Sequence, residues 1–158
     1  MKKVTSIIIL SLVFILVACG DPVADELEKY VNEDIEPLVE REDEVINEYD
    51  SVTGDGYTDD YTTFVHLDTV VIPLYLDFIA DLESIKLENK EVREVHEIFI
   101  AATNKQYDAM VKMLAALDQQ DYELVGEANE MLTEGRAGLR DYQAELESLL
   151  DEHGMYLE

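Results

Sequence analysis

The sequence predicts an all-α protein, with an antiparallel up-down four-helix bundle as its architecture. Apolar residues recur at intervals of three, four and seven in four stretches of about 30 residues, which is the period of one helix face. The connections between those stretches hold Gly, Asn and Asp, residues that end or cap helices. Short connections favour antiparallel neighbours. A three-helix bundle with a broken first helix is the alternative.

The first helix is predicted over 23–52. Its apolar positions are Val23, Leu27, Tyr30, Val31, Ile35, Leu38, Val45, Tyr49 and Val52. Pro37 falls inside this pattern, and a proline in a helix removes one hydrogen bond and crowds the preceding turn. We therefore expect a kink or break near 33–36, and a stop in the glycine-containing stretch 53–60.

The second helix is predicted over 59–88, with Thr58 as its N-cap. The segment 70–76 is apolar on nearly every side and is expected to be the most buried part of the chain. Asn89 is predicted to cap the third helix and Asp121 the fourth. The fourth helix should end near His153 and Gly154, which gives a helical domain over 23–153 and a C-terminal tail over 154–158.

The N-terminus carries two lysines, Lys2 and Lys3, followed by an apolar run over 4–17. That run has the length of a signal-peptide core and is shorter than the ~20 residues of a membrane span. It ends in Leu16-Val17-Ala18-Cys19, and Cys19 is the chain's single cysteine. This tetrad resembles the lipobox of bacterial lipoprotein precursors, and the chain is similar to the small helical lipoproteins of Gram-positive bacteria.

The resemblance implies that residues 1–18 are a signal peptide and that Cys19 receives a diacylglyceryl group. Residues 19–22 then form a short lipidated tether. The expected location is the extracytoplasmic face of the cell membrane, with the membrane itself as a partner through the lipid on Cys19. An ordinary secretory signal or a transmembrane anchor are the alternatives for this segment.

The net charge of the chain limits the kinds of molecule that it can bind. Residues 1–18 contain two of the 11 Lys and Arg and none of the 37 Asp and Glu, so the remaining chain has nine cations, 37 acids and a formal charge of −28. Such a body does not bind nucleic acid or a membrane surface through basic residues. The acidity indicates either a well-solvated surface or a field that attracts a protein partner or a cationic ligand.

No catalytic motif is present, and we predict neither an enzyme nor a cofactor. His66 and His96 are separated by about 22 Å along the predicted bundle, too far to share one metal or haem. The Glu-x-x-His pairs of di-iron bundles are absent. The acids Asp55, Asp59 and Asp60 form the one candidate calcium loop, but the EF-hand spacing is missing and helix capping already explains Asp59 and Asp60.

A mid-bundle layer is the second candidate site. Counting 1.5 Å per residue along each predicted helix places several irregular positions at one height. They are Pro37, Pro73, Tyr75, Thr103, Asn104, Gly135 and Gly138. The layer predicts either a pocket or hinge, or simply kinks with close helix approach at the glycines. The same count places Tyr30, His96 and Tyr142 at similar heights, where core packing is expected.

These observations predict a non-enzymatic binding or interaction module, held at the cell envelope by a lipid. A ligand- or metal-binding lipoprotein that serves uptake or sensing is the alternative.

Overall fold

The structure, a computed structural model, describes residues 13–15 and 20–157, and this part of the chain is all-α apart from one short strand pair. In chain order the elements are β1 (Val13–Ile15), α1 (Pro22–Lys29), a π-helical segment (Tyr30–Ile35), α2 (Glu36–Val52), a 3-10 turn (Gly54–Gly56), α3 (Asp60–His66), a second π-helical segment (Leu67–Val71), α4 (Ile72–Ser84), α5 (Lys90–Gln119), α6 (Tyr122–Glu152) and β2 (Met155–Leu157). They form four continuous helical rods over 22–52, 60–84, 90–119 and 122–152, which we number 1 to 4. The predicted all-α class is confirmed.

Several predicted helix ends are confirmed. Rod 1 ends at Val52, and rods 3 and 4 follow Asn89 and Asp121 at their N-cap positions. The Asn89 side chain makes no capping hydrogen bond, because its amide donates to the Pro22 carbonyl. The Asp121 carboxylate accepts hydrogen bonds from the first backbone N–H groups of rod 4. Rod 4 stops at Glu152, two residues before Gly154, whose φ of 70° is the left-handed conformation that glycine adopts readily.

Two predicted ends of rod 2 are wrong. Its N-cap is Asp59 and not Thr58, because the Asp59 carboxylate accepts the hydrogen bond of the Thr62 backbone N–H at 2.9 Å. The rod ends at Ser84 rather than at residue 88, and Ile85 is extended. The connection after Ile85 is held by rod 1 instead, since its backbone N–H groups bond to a rod 1 carboxylate.

The two prolines inside rods 1 and 2 are each preceded by a π-helical segment. In these segments the backbone N–H bonds five residues back, as Glu36 does to Val31 and Ile72 does to Leu67. A proline ring crowds the carbonyl four residues earlier and offers no N–H. The wider π turn accommodates both defects, so the rods continue through Pro37 and Pro73.

The core between the rods is built around a row of aromatic rings. Tyr75 stacks on Phe78 with ring centroids 5.8 Å apart, Phe78 meets Phe99 edge-on at 6.3 Å, and Phe99 stacks on Tyr142 at 4.5 Å. All four side chains are buried. The row therefore connects rods 2, 3 and 4.

Rod 2 has the composition of a membrane span. The stretch Asp60–Ser84 is long and apolar enough to cross a bilayer, with a mean hydropathy of 1.4, a criterion that core helices of soluble proteins also meet. Its apolar residues Leu67, Val71 and Leu82 are fully buried against the other rods.

The prediction that 70–76 is the most buried part of the chain is wrong, because only Val71 and Tyr75 are buried there and Leu76 is 44% exposed. One face of the segment packs on the core and the other faces solvent.

The first loop after rod 1 and the turn before rod 4 lie at one end of the rods, which we call the distal end. There Thr63 donates its hydroxyl to the Val52 carbonyl at 2.9 Å. The start of rod 1, the connection 85–89 and the end of rod 4 lie at the other end, the proximal end. There the Asp21 carboxylate accepts a hydrogen bond from His153 Nδ1 at 2.6 Å.

One strand pair joins the two ends of the described chain. Val13–Ile15 runs antiparallel to Met155–Leu157, with Phe14 opposite Tyr156. Most of the predicted signal peptide and the whole tetrad 16–19, including Cys19, lie outside the described residues.

Candidate functional site

The most polar part of the core is a chain of three side chains from three different rods. The Tyr30 hydroxyl lies 3.1 Å from His96 Nδ1 and 3.2 Å from the Tyr142 hydroxyl. All three side chains are at most 3% exposed. The grouping predicted from helix heights is confirmed, and the three residues form a hydrogen-bonded network as well as packing.

Burial determines the ionisation of this network. It raises the pKa of both tyrosine hydroxyls far above their usual value, so both stay neutral. Burial also lowers the pKa of the His96 imidazole, against a smaller opposing effect of the Leu82 backbone carbonyl. At neutral pH the network is therefore an uncharged chain of hydrogen bonds.

The second ring nitrogen of the histidine, Nε2, is buried and makes no hydrogen bond of good geometry. Hydrogen bonding between the ring and the Leu82 backbone carbonyl nevertheless raises the His96 pKa, against the larger lowering by burial. A buried polar group without a partner costs roughly 1–3 kcal/mol. Such atoms require an explanation, and a ligand is one.

His96 lines a surface groove of about 240 Å³ near the proximal end. The groove is formed by the end of rod 2, the connection 85–89 and the first turns of rod 3. Its charged lining residues are Lys86, Arg93, Glu83, Glu88 and Glu97. The groove thus combines a neutral imidazole with groups of both signs, which suits a small polar molecule better than a bare ion.

Glu42 is a second buried titratable group, on rod 1. Its side chain is in the core at 6% exposure, and burial raises its pKa to about 7. A cavity of about 10 Å³ lies beside it, lined also by Leu38, Phe78 and Tyr142. The lining surface is apolar, and a space of that size holds at most one water.

The predicted mid-bundle residues are placed as follows. Tyr75 is buried in the aromatic row. The side chains of Thr103 and Asn104 return to their own helix, bonding the carbonyls of Phe99 and Ile100 at 2.8 and 3.1 Å. None of the seven predicted residues lines the cavity beside Glu42 or the groove beside His96. The mid-bundle pocket stays a prediction.

The two glycines of that layer allow rods 3 and 4 to approach closely. A Cβ on Gly138 would lie 2.9 Å from the Ala102 Cβ, and one on Gly135 would lie 2.5 Å from the Gln106 Cγ. Gly126, nearer the distal end of the same rod, has nothing within 4 Å. Close packing therefore explains Gly135 and Gly138 without a ligand.

The candidate calcium loop is occupied by local hydrogen bonds. Asp59 accepts from the Thr62 backbone and hydroxyl, and Asp60 accepts from the Tyr57 hydroxyl at 2.8 Å. Within residues 13–15 and 20–157, no group of three or more His, Cys, Asp or Glu side chains could hold a metal ion.

Sequence reasoning missed the exposed aromatic residues of the distal end. Tyr57, Tyr61 and Tyr122 are 51%, 77% and 83% exposed. Tyr57 lies in the loop 53–59, and Tyr61 and Tyr122 lie in the first turns of rods 2 and 4. Side chains at such positions often face solvent, so position alone could have predicted that these rings are exposed.

Comparison with known proteins finds no matching family model, no similar curated protein and no similar solved structure.

Proposed function

We propose that the chain is a lipid-anchored, non-enzymatic binding module on the extracytoplasmic face of the cell membrane. The resemblance of residues 16–19 to a lipobox supports the anchor. The observation that carries the proposal is the position of Asp21, which caps rod 1 and bonds to His153 at the proximal end. A tether at 19–22 would hold that end next to the bilayer and leave the distal end free for a partner.

We further propose that the four rods form the antiparallel up-down four-helix bundle. Three contacts support this arrangement at the proximal end. Glu26 accepts from the backbone N–H groups of Glu88 and Asn89 at 2.7 and 2.8 Å, and the Asn89 amide donates to the Pro22 carbonyl at 3.0 Å. The start of rod 1 and the connection between rods 2 and 3 are therefore neighbours, as alternating rods require.

The anchor is tested by Cys19→Ser in the full-length chain, with Ser11→Ala as a matched leader variant that keeps the tetrad. We expect the wild type and Ser11→Ala to fractionate with membranes, to resist a high-salt wash and to incorporate labelled fatty acid. Cys19→Ser should lose the label and the salt-resistant fraction. If Cys19→Ser remained firmly membrane-bound, the lipid-anchor proposal would be wrong.

The second candidate is a ligand-binding lipoprotein for uptake or sensing, and the His96 groove favours it. His96 lines a groove of about 240 Å³ together with charged residues of both signs, and its Nε2 has no hydrogen bond of good geometry that a small molecule would displace. A ligand that binds the folded state raises the melting temperature, and the rise grows with the logarithm of the ligand concentration above its dissociation constant.

The test measures the melting temperature of the wild type and of His96→Gln with Ca²⁺, Zn²⁺, iron, haem and polyamines at constant ionic strength. A ligand that binds in the groove should raise the melting temperature of the wild type only. An equal rise in His96→Gln would show that the ligand binds elsewhere.

A further inference from the structure

The exposed tyrosines of the distal end form a defined surface. We call Tyr57, Tyr61 and Tyr122 the distal tyrosines. Isolated exposed apolar residues are ordinary, but three rings at one end of a small bundle are a concentration of the residue type that dominates binding hot spots. A tyrosine offers a ring face and a hydroxyl at a low cost in side-chain entropy.

The Tyr57 ring is held in place before any partner arrives. The Tyr57 hydroxyl donates to the Asp60 carboxylate at 2.8 Å, and this bond raises the Tyr57 pKa. Tyr122 makes the smallest of the contributions that raise the Tyr57 pKa, which agrees with both residues lying at the distal end. A preorganised surface loses less entropy when it binds.

The loop that carries Tyr57 has little freedom to change. Gly56 has no room for a side chain, because a Cβ would lie 2.4 Å from the Ser51 carbonyl oxygen. Gly54 adopts φ of 53°, a conformation that other residues rarely take. Two glycines thus fix the path of the loop and the position of Tyr57.

The charged side chains nearest to the distal tyrosines in sequence are acidic. The segments 45–65 and 113–127, which lie toward the distal end, contain no Lys or Arg. The exposed carboxylates there are Asp55, Asp59, Asp118, Asp121 and Glu123. An aromatic ring attracts a cation at its face, and neighbouring carboxylates strengthen the local negative potential.

We propose that the distal tyrosines and the carboxylates around them bind a polypeptide segment rich in arginine and lysine. The guanidinium or ammonium groups of that segment stack on the rings of Tyr57, Tyr61 and Tyr122, while the carboxylates draw the segment in. This inference deepens the proposed binding-module function by assigning its surface and the chemistry of its partner.

Other occupants fit this surface less well. Nucleic acids and anionic lipids carry the same sign of charge as the distal end and are repelled. A purely apolar partner would leave the surrounding carboxylates facing an uncharged surface, which costs desolvation energy without compensation. A cationic polypeptide satisfies both the rings and the carboxylates.

The test measures the affinity of the full-length protein, in detergent, for fluorescent homopeptides of arginine and of lysine at physiological salt. The combined variant Tyr57→Ala, Tyr61→Ala and Tyr122→Ala should weaken arginine-peptide binding by about tenfold or more. Tyr156→Ala removes an equally exposed tyrosine, 60% exposed, at the proximal end and should change the affinity by less than about twofold. Far-ultraviolet circular dichroism confirms that each variant is folded.

A second comparison separates ring stacking from simple apolar contact. Replacing the three distal tyrosines by Phe keeps the ring faces and should retain most of the affinity, whereas replacing them by Leu should not. Arginine peptide should also bind more tightly than lysine peptide, because the flat guanidinium stacks better.

Equal binding by the wild type and the triple Ala variant would overturn the proposal and show a diffuse attraction to the −28 body. Equal loss in the Phe and Leu variants would overturn the stacking of cations on the rings. These assays use detergent and do not depend on the lipid, so their failure is distinguishable from a failure of the Cys19→Ser test. A Cys19→Ser protein that still binds the arginine peptide would separate the partner surface from the anchor.

Discussion

The two ends of the rods are built by different interactions. The proximal end is closed by contacts between residues far apart in sequence, such as Asp21 with His153 and Glu26 with Asn89. The distal end is organised mainly by local caps, such as Asp59 on Thr62 and Asp121 on Glu123. The long-range contacts hold rods together, whereas the local caps leave side chains free to face solvent.

The two ends of the rods also differ in the number of basic residues. Lys86, Lys90 and Arg93 lie in and just after the connection 85–89, at the proximal end. The segments 45–65 and 113–127, which lie toward the distal end, have no Lys or Arg. The following substitutions test whether the proximal end contributes more to stability than the distal end, as the proposed binding surface at the distal end requires.

The largest expected effect is that of Tyr30→Phe. Losing the Tyr30 hydroxyl deprives both His96 Nδ1 and the Tyr142 hydroxyl of a buried partner. We expect the free energy of unfolding to fall by about 2–4 kcal/mol, measured by urea denaturation. The matched distal variant Tyr57→Phe loses one solvent-exposed bond and should cost less than about 0.5 kcal/mol. Equal losses in the two variants would show that the proximal and distal ends contribute equally to the free energy of unfolding.

Glu42→Gln should stabilise the fold at alkaline pH. The pKa of Glu42 is about 7 in the fold and 4.5 as the ordinary value, so the folded state holds its proton more tightly. Stability from this residue is full below about pH 4.5 and falls as the pH rises through 7. Removing the charge should therefore add up to about 3 kcal/mol at pH 8 and close to nothing at pH 4.

The control for that measurement is Glu44→Gln, which removes one exposed charge from the same helix. It reports the relief of general repulsion in a strongly acidic chain. A gain that is the same for both variants, or that does not change between pH 4 and pH 8, would show that Glu42 is ionised at little cost in the core.

The smallest expected effect is that of Glu26, which binds the connection 85–89 at the proximal end. Glu26→Ala removes the acceptor of the Glu88 and Asn89 backbone N–H groups and should cost about 1–2 kcal/mol. Desolvation opposes ionisation of Glu26, but these N–H groups lower its pKa overall, so its contribution should be lost as the pH falls below 4.5. The distal variant Asp118→Ala, at an exposed site, should change stability by less than about 0.5 kcal/mol in thermal or urea unfolding.

Helix periodicity and caps were sufficient to predict the all-α class, the end of rod 1 at Val52 and the N-cap positions Asn89 and Asp121. A constant rise per residue also placed Tyr30, His96 and Tyr142 together, because height along a helix depends only on counting. The orientation of a ring about its helix does not follow from counting. For that reason the hydrogen bonds of the His96 ring and the 83% exposure of Tyr122 were not predicted.

The boundary errors have a related cause. Thr58 and Asp59 are both good caps, and only the loop geometry selects Asp59. The residues 85–88 continue the helical pattern of rod 2, yet the Glu26 carboxylate in another rod binds the backbone N–H of Glu88. A competition between a helix and a tertiary hydrogen bond is not visible in the local sequence.

The π-helical segments determine the direction in which the buried face of each rod points. Buried residues step by four at Leu27, Val31 and Ile35 in rod 1, and at Thr63, Leu67, Val71 and Tyr75 in rod 2. In an uninterrupted α-helix such steps would rotate the buried face by about 80° in rod 1 and 120° in rod 2. The wide turns absorb that rotation just before Pro37 and Pro73. Each proline is therefore matched to a local change of winding, and together they keep both halves of a rod facing the same core.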